Sequence, residues 1–158
     1  MPALASHLGS AGPATYCYLH AMPVTKGFRQ LVAEAEARIQ TRSVPESVAL
    51  LEDPTMVFVD LRDPRELERE GMIPNAFHAT RGMLEFWIDP ESPYYKPIFG
   101  DADKHFVLYC GGGWRSALAA VTMIDMGLTN VSHIDGGFAA WKAAEAPVAQ
   151  KPSKPAKS

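Results

Sequence analysis

The chain has 158 residues, 47% hydrophobic and 21% charged side chains, and a formal net charge of −3. That length suits one domain around one core. The charge offers no basic field for nucleic acid, and no apolar run reaches the roughly 20 residues of a membrane-spanning helix.

Residues 1–25 are rich in Gly, Pro and small side chains, hold no sustained period, and are expected to be disordered. No Lys or Arg precedes Lys26, so the basic start of a secretory signal is missing and a cytoplasmic location is expected. Met22 is an alternative start, because organised sequence begins just after it. Phe28, Leu31, Val32, Ala35 and Ile39 recur at helical spacing and predict an amphipathic helix. Ser43-Val44-Pro45-Glu46 reads as a capping box for a second helix running to about Leu51. MVFVD, residues 56–60, has the look of a buried parallel strand. Asp63-Pro64-Arg65-Glu66 caps a third helix, with Pro64 at its first position and Gly71 at its end.

NAFHA suits a short strand and RGMLEFWID a helical turn or two. The Pro-rich run DPESPYYKPIFGDADK reads as a surface loop. Phe86, Trp87, Tyr94 and Tyr95 make the stretch 84–99 aromatic, suited to burial, with a lid or a partner surface as alternatives. HFVLY is a strand, and RSALAAVTMIDMG a helix with Leu118, Val121 and Ile124 expected toward the sheet. VSHID is the last strand and FAAWKAAEA the last helix. The expected domain covers 26–148, and 149–158 is expected to be a disordered tail.

Alternating strands and helices predict a mostly parallel sheet of four or five strands, covered on both faces. In such α/β sheets the reactive crevice lies beyond the C-terminal strand ends. Asp60, Cys110 and the pair Gly136-Gly137 all follow strands, so the reading places them on one rim.

The stretch Cys110-Gly111-Gly112-Gly113-Trp114-Arg115 carries the chemistry. Cys17 and Cys110 are the only cysteines, too few for a disulfide framework or a metal cluster. A free thiol ionises near pH ~8.5, so little of it is thiolate at neutral pH. A helix N-terminus supplies unpaired N–H groups, successive glycines let backbone amides turn inward into an anion nest, and Arg115 adds a permanent cation. Each favours the thiolate, and the reading is an exposed, activated nucleophile. The alternatives are a small buried Cys and a plain tight turn; neither G-x-G-x-x-G nor a P-loop pattern is present.

These residues resemble the rhodanese-like domain family, the single-domain sulfurtransferases, over roughly residues 45–147. The family's Asp-x-Arg appears as Asp60-Leu61-Arg62, and its Gly-His-Ile-Pro-Gly-Ala as Gly71 to Ala76 with Met72 and Asn75 as departures. Its six-residue active loop spans Cys110 to Arg115, and its Gly-Gly-x-x-x-Trp spans Gly136 to Trp141. The resemblance implies a single-domain rhodanese-like fold and a sulfurtransferase. Cys110 would take a sulfane sulfur from a small donor, carry it as a persulfide, and yield it to a thiol, to cyanide or to a sulfur-acceptor protein. It implies no metal or organic cofactor, while the charge and the lack of a long apolar run lead to the expectation of no nucleic-acid or membrane partner. Gly111 and Gly112 stand where thiosulfate-using members often carry a basic residue, which turns the expectation away from thiosulfate as preferred donor.

Gly111, Gly112, Gly113, Trp114, Arg115 and Ser116 are the expected substrate-binding loop. Trp114 is read as an apolar wall or a packing residue, Arg115 as a ligand for the donor's oxyanion or a brace paired with an acid. Ser116 is read as a helix cap more than a donor to the persulfide. Asp60 and Arg62 are supporting residues, with a structural ion pair as the plainer role. His133 is expected to be a satisfied strand residue, and Trp141 with Phe138 core packing. Cys17 could resolve Cys110 as a disulfide. Two other functions fit the pattern less well. A Cys-dependent phosphatase or arsenate reductase needs five residues between Cys and Arg where this loop has four. A non-catalytic binding module would not need the cysteine.

Overall fold

The computed structural model describes residues 23–152; Cys17, Met22 and most of the expected tail lie outside them. The chain runs α1 (Phe28–Glu36), β1 (Gln40–Arg42), α2 (Val44–Val48), β2 (Met56–Asp60), α3 (Pro64–Glu70) and β3 (Phe77–His78). Then follow a 3-10 turn (Arg81–Met83), α4 (Leu84–Ile88), a second 3-10 turn (Pro97–Gly100), β4 (His105–Tyr109), α5 (Trp114–Asp125), β5 (Val131–Ile134) and α6 (Gly137–Ala143).

The five strands form one sheet in the order β1-β5-β4-β2-β3, and every pairing is parallel. All strands therefore end at the same rim. Alternation along the strands splits the core between the two faces. Val59, Phe106 and Leu108 pack with Leu84, Ala120 and Met123 on one face. Phe58, Val107 and Tyr109 pack with Ile73, Phe138 and Trp141 on the other.

Both expected capping boxes form. The Ser43 and Asp63 side chains accept from backbone amides of α2 and α3, while Glu46 and Glu66 reach back to the amides of Ser43 and Asp63. α2 is shorter than expected, ending at Val48 with turns to Leu51. β1 was not expected at all: three polar residues, QTR, pair with Ser132, His133 and Ile134.

The sheet-facing side of α5 also differs from expectation. Ala119, Ala120 and Met123 enter the sheet-side core, with Ile124 packed on its margin, and Leu118 and Val121 pack against α1. Small side chains let the helix lie close to the sheet, so the larger ones are left to fill the gap to its neighbour helix.

Asn75 stands at φ +60, a left-handed turn that asparagine tolerates better than other non-glycine residues. Met72 is buried and exchanges two backbone hydrogen bonds of 2.8 Å with Ala149. The chain thus makes fold contacts past residue 148, and Lys151 reaches Glu68 at 3.0 Å. In the aromatic stretch Phe99 is buried and Trp87 packs edge-on to Phe77, while Phe86 and Tyr94 remain exposed. No helix among the described residues is long and apolar enough to cross a membrane.

Candidate active site

β4 ends at Tyr109, and the next residue, Cys110, turns its side chain under the loop that leads into α5. The loop can curl because Gly113 adopts φ +99, which a side chain would strain. In that conformation the Gly113 amide donates to Cys110 Sγ at 3.2 Å. The thiol lies 3.7 Å from Ser116 Oγ, as donor to it. Cys110, Gly112, Trp114 and Arg115 line a pocket of about 370 Å³.

Cys110 is 1% exposed, so the expected exposed nucleophile is in fact recessed. The reason is local: the backbone ring that cradles the sulfur also covers it. A reactant must present a small atom at the pocket floor. Among the described residues, no three His, Cys, Asp or Glu side chains gather into a metal-binding set.

The N-terminus of α6 closes the rim from the other side. Phe138 N donates to Cys110 O at 2.7 Å and Ala139 N to Gly111 O at 2.9 Å. This approach needs Gly137: a Cβ there would stand 2.5 Å from Cys110 O. The Gly-Gly pair thus joins the loop to the last helix.

Arg115 is a brace in this structure. Its guanidinium donates to both oxygens of Glu66, at 2.8 and 2.9 Å. Glu66 was legible in the sequence only as the third residue of a capping box; here it serves that role and clamps the loop as well. The Arg115 guanidinium pulls the Glu66 carboxyl down to about 2 from an ordinary 4.5, against its partial burial. The same pairing pushes Arg115 up.

Trp114 is 54% exposed and does not pack the loop onto the sheet. Its ring lies 4.7 Å from that of Phe28 on α1, and the Arg29 guanidinium lies over both. A helix that precedes the loop by many residues therefore supports the pocket wall. Gly112 is exposed, with open space where a Cβ would stand. Gly111 lies against the Arg115–Glu66 clamp.

Asp60 and Arg62 form a fully buried pair beneath the rim. Arg62 Nε and Nη2 donate to the Asp60 carboxylate at 2.9 and 2.7 Å, and Nη2 also donates to Gly71 O at 2.8 Å. The guanidinium lies 4.0 Å from the centroid of Phe138, and its Nη1 sits 3.5 Å from Glu70 without a hydrogen bond. This is the plainer, structural role: the pair ties β2, the end of α3 and the start of α6 together.

Ser116 does not cap the helix. Its Oγ donates to Gly113 O at 3.1 Å and lies 3.1 Å from His133 Nδ1. His133 is buried, and its Nε2 is 3.1 Å from Thr41 Oγ1. Both ring nitrogens are thus satisfied. Thr41 had no sequence signal, because the short strand that carries it had none.

Residues 43–144 match the family model of the rhodanese-like domain. A Rhodopseudomonas palustris protein of unknown function, named as a possible tyrosine phosphatase, is 53% identical, with TM-score 0.79 over 82% of this chain and 98% of that one. The polysulfide-sulfur transferase of Wolinella succinogenes is 29% identical, with TM-score 0.59 over 78% of this chain and 88% of that one. The thiosulfate sulfurtransferase GlpE of Pseudomonas syringae is 31% identical over 64% of this chain and 86% of its own. The tRNA uridine(34) hydroxylase of Erwinia tasmaniensis is 38% identical over 57% of this chain. The chain spans about a quarter of the length of the hydroxylases it matches.

Proposed function

The chain belongs to the rhodanese-like domain family, and from that membership we propose that it is a sulfurtransferase working through a Cys110 persulfide. The observation that carries the reading is the sulfur itself: Sγ accepts the Gly113 amide at 3.2 Å on the floor of a pocket open to a small reactant. In the first half-reaction the Cys110 thiolate attacks the sulfane sulfur of a donor. A new S–S bond forms, the donor's bond to that sulfur breaks, and the rest of the donor leaves with the electron pair. The terminal sulfur of the persulfide then carries the negative charge among the loop amides. In the second half-reaction a thiolate or cyanide attacks that terminal sulfur, and Cys110 leaves as thiolate. The cycle is double displacement, so ping-pong kinetics are expected.

The printed name of the Rhodopseudomonas relative favours a second reading, a phosphatase. Two observations weigh against it here. The loop holds four residues between Cys110 and Arg115, a narrow ring for a tetrahedral phosphate. Both nitrogens that an arginine would offer phosphate are given to Glu66. The test is an intact mass after incubation with thiosulfate, mercaptopyruvate or polysulfide, beside an assay with an aryl phosphate. A gain of one sulfur in the wild type, absent in Cys110→Ala, supports transfer. Aryl phosphate turnover lost in Cys110→Ser, with no sulfur uptake, supports the phosphatase.

A further inference from the structure

The buried imidazole behind the sulfur has no role in the scheme above. His133 lies on β5, in register with Thr41 on the edge strand β1. Its Nδ1 is 3.1 Å from Ser116 Oγ, and its Nε2 is 3.1 Å from Thr41 Oγ1. Ser116 Oγ is in turn 3.7 Å from Cys110 Sγ. Cys110, Ser116 and His133 are buried, whereas Thr41 is exposed. A continuous line of exchangeable hydrogens therefore joins the sulfur to solvent on the side away from the pocket.

Resting on the reading of Cys110 as the sulfur carrier, we propose that Ser116, His133 and Thr41 form a rear exit for the thiol proton, with His133 and Thr41 as positioning residues for the reaction. The need for such an exit comes from the geometry. Sulfuration releases one proton for every thiol consumed. With a donor filling the pocket, the sulfur of a buried cysteine has no water in front of it to take that proton.

The transfer balances without a charged intermediate. With the Ser116 hydroxyl turned from Gly113 O to His133 Nδ1 and the ring protonated on Nε2, the S–H proton passes to Ser116 Oγ while the Ser116 hydroxyl proton passes to His133 Nδ1. The proton on His133 Nε2 passes to Thr41 Oγ1 while the Thr41 hydroxyl proton passes to water. The net change is one thiolate, one proton in solvent, and an imidazole that has exchanged tautomers. Afterwards Nδ1–H donates to Ser116, whose hydroxyl is free to donate to the new anion, and Thr41 donates to Nε2. Gly113 O, 3.1 Å from Ser116 Oγ, supplies that hydroxyl with an alternative acceptor. Burial holds His133 below its ordinary ionisation range, with Asp135 opposing weakly, which suits a ring that swaps tautomers over one that rests as a cation. Thr41, on the edge strand, lies just before the residues matched by the family model.

The test measures single-turnover sulfuration of Cys110 by rapid-quench intact mass, with polysulfide as donor, in wild type, Thr41→Val, His133→Ala and the double variant. Urea titration checks that each is folded; Thr41→Val changes an exposed side chain and decides the matter if His133→Ala fails to fold. Each single variant is expected to sulfurate on the order of 10-fold more slowly, below the usual range for a full general base because the loop amides still favour thiolate. Added imidazole restores His133→Ala but not the double variant, which has lost the outer hydroxyl. Wild-type rates in Thr41→Val, or equal rescue of single and double variants, would overturn the rear exit and leave the sulfurtransferase reading standing. Wild type that gains no sulfur from any donor removes that reading, and the exit with it.

Discussion

Replacing Glu66 with Gln isolates the charge that holds the active loop. The amide oxygen can still accept from Asp63 N, so the capping box of α3 survives. What is lost is the carboxylate facing both nitrogens of Arg115 at 2.8 and 2.9 Å. A carboxyl drawn from 4.5 to about 2 is held by at most ~3 kcal/mol. The Glu66 side chain is 24% exposed and that of Arg115 38%. Water and salt reach the pair, so about 1–2 kcal/mol is the expected cost at pH 7.

The pH dependence follows from linkage. Glu66 has a depressed ionisation in the folded state, so its contribution is complete above 4.5, the unfolded value, and fades as pH falls toward about 2. Urea titrations of wild type and Glu66→Gln at pH 7 and pH 3 read this directly. The gap should close to roughly half or less at pH 3. Equal stability at pH 7, or a gap that does not narrow with acid, would refute the claim that the ion pair secures the loop.

Two further outcomes follow from the packing and charge at the rim. Gly137→Ala forces a Cβ to 2.5 Å from Cys110 O at a residue with φ +58, so urea unfolding should show a loss above ~2 kcal/mol. Gly112→Ala, with nothing within 4 Å of its added carbon, is the control and should be near neutral. Asp60→Asn removes the carboxylate hydrogen-bonded to the buried Arg62 guanidinium, leaving only Glu70 at 3.5 Å as a charge nearby, and should cost about 3 kcal/mol. A change under ~1 kcal/mol in the same titration would show that Phe138, Gly71 and Glu70 suffice to hold it.

Periodicity and caps made most of the fold legible. β2 and β4 are continuous apolar runs, and Ser43 and Asp63 mark two helix starts in residue types alone. β1 was not legible, because three polar residues at a sheet edge carry no pattern; only the β5 edge beside them gives them a reason to extend. The face of α5 misled for Leu118 and Val121, whose size suggests the sheet, whereas close packing there takes Ala119, Ala120 and Met123 with Ile124 at the margin. At the site, the Cys-to-Arg spacing located the loop. It could not locate Glu66, His133 or Thr41, whose roles depend on which side chains the parallel register brings together. The recess of Cys110 was hidden because residue types suggest a turn without showing that its backbone folds over the sulfur; the amides of α6 then hold the Cys110 and Gly111 carbonyls.

The seam between α6 and the sulfur loop also sets an order of assembly. The Cys110 and Gly111 carbonyls are satisfied only by amides from the last helix of the described chain. A nascent polypeptide still short of Phe138 leaves both carbonyls without those partners. The loop around the sulfur is therefore anchored only once synthesis has passed that helix, and a chain cut short there carries the cysteine on a loop without its docking partner.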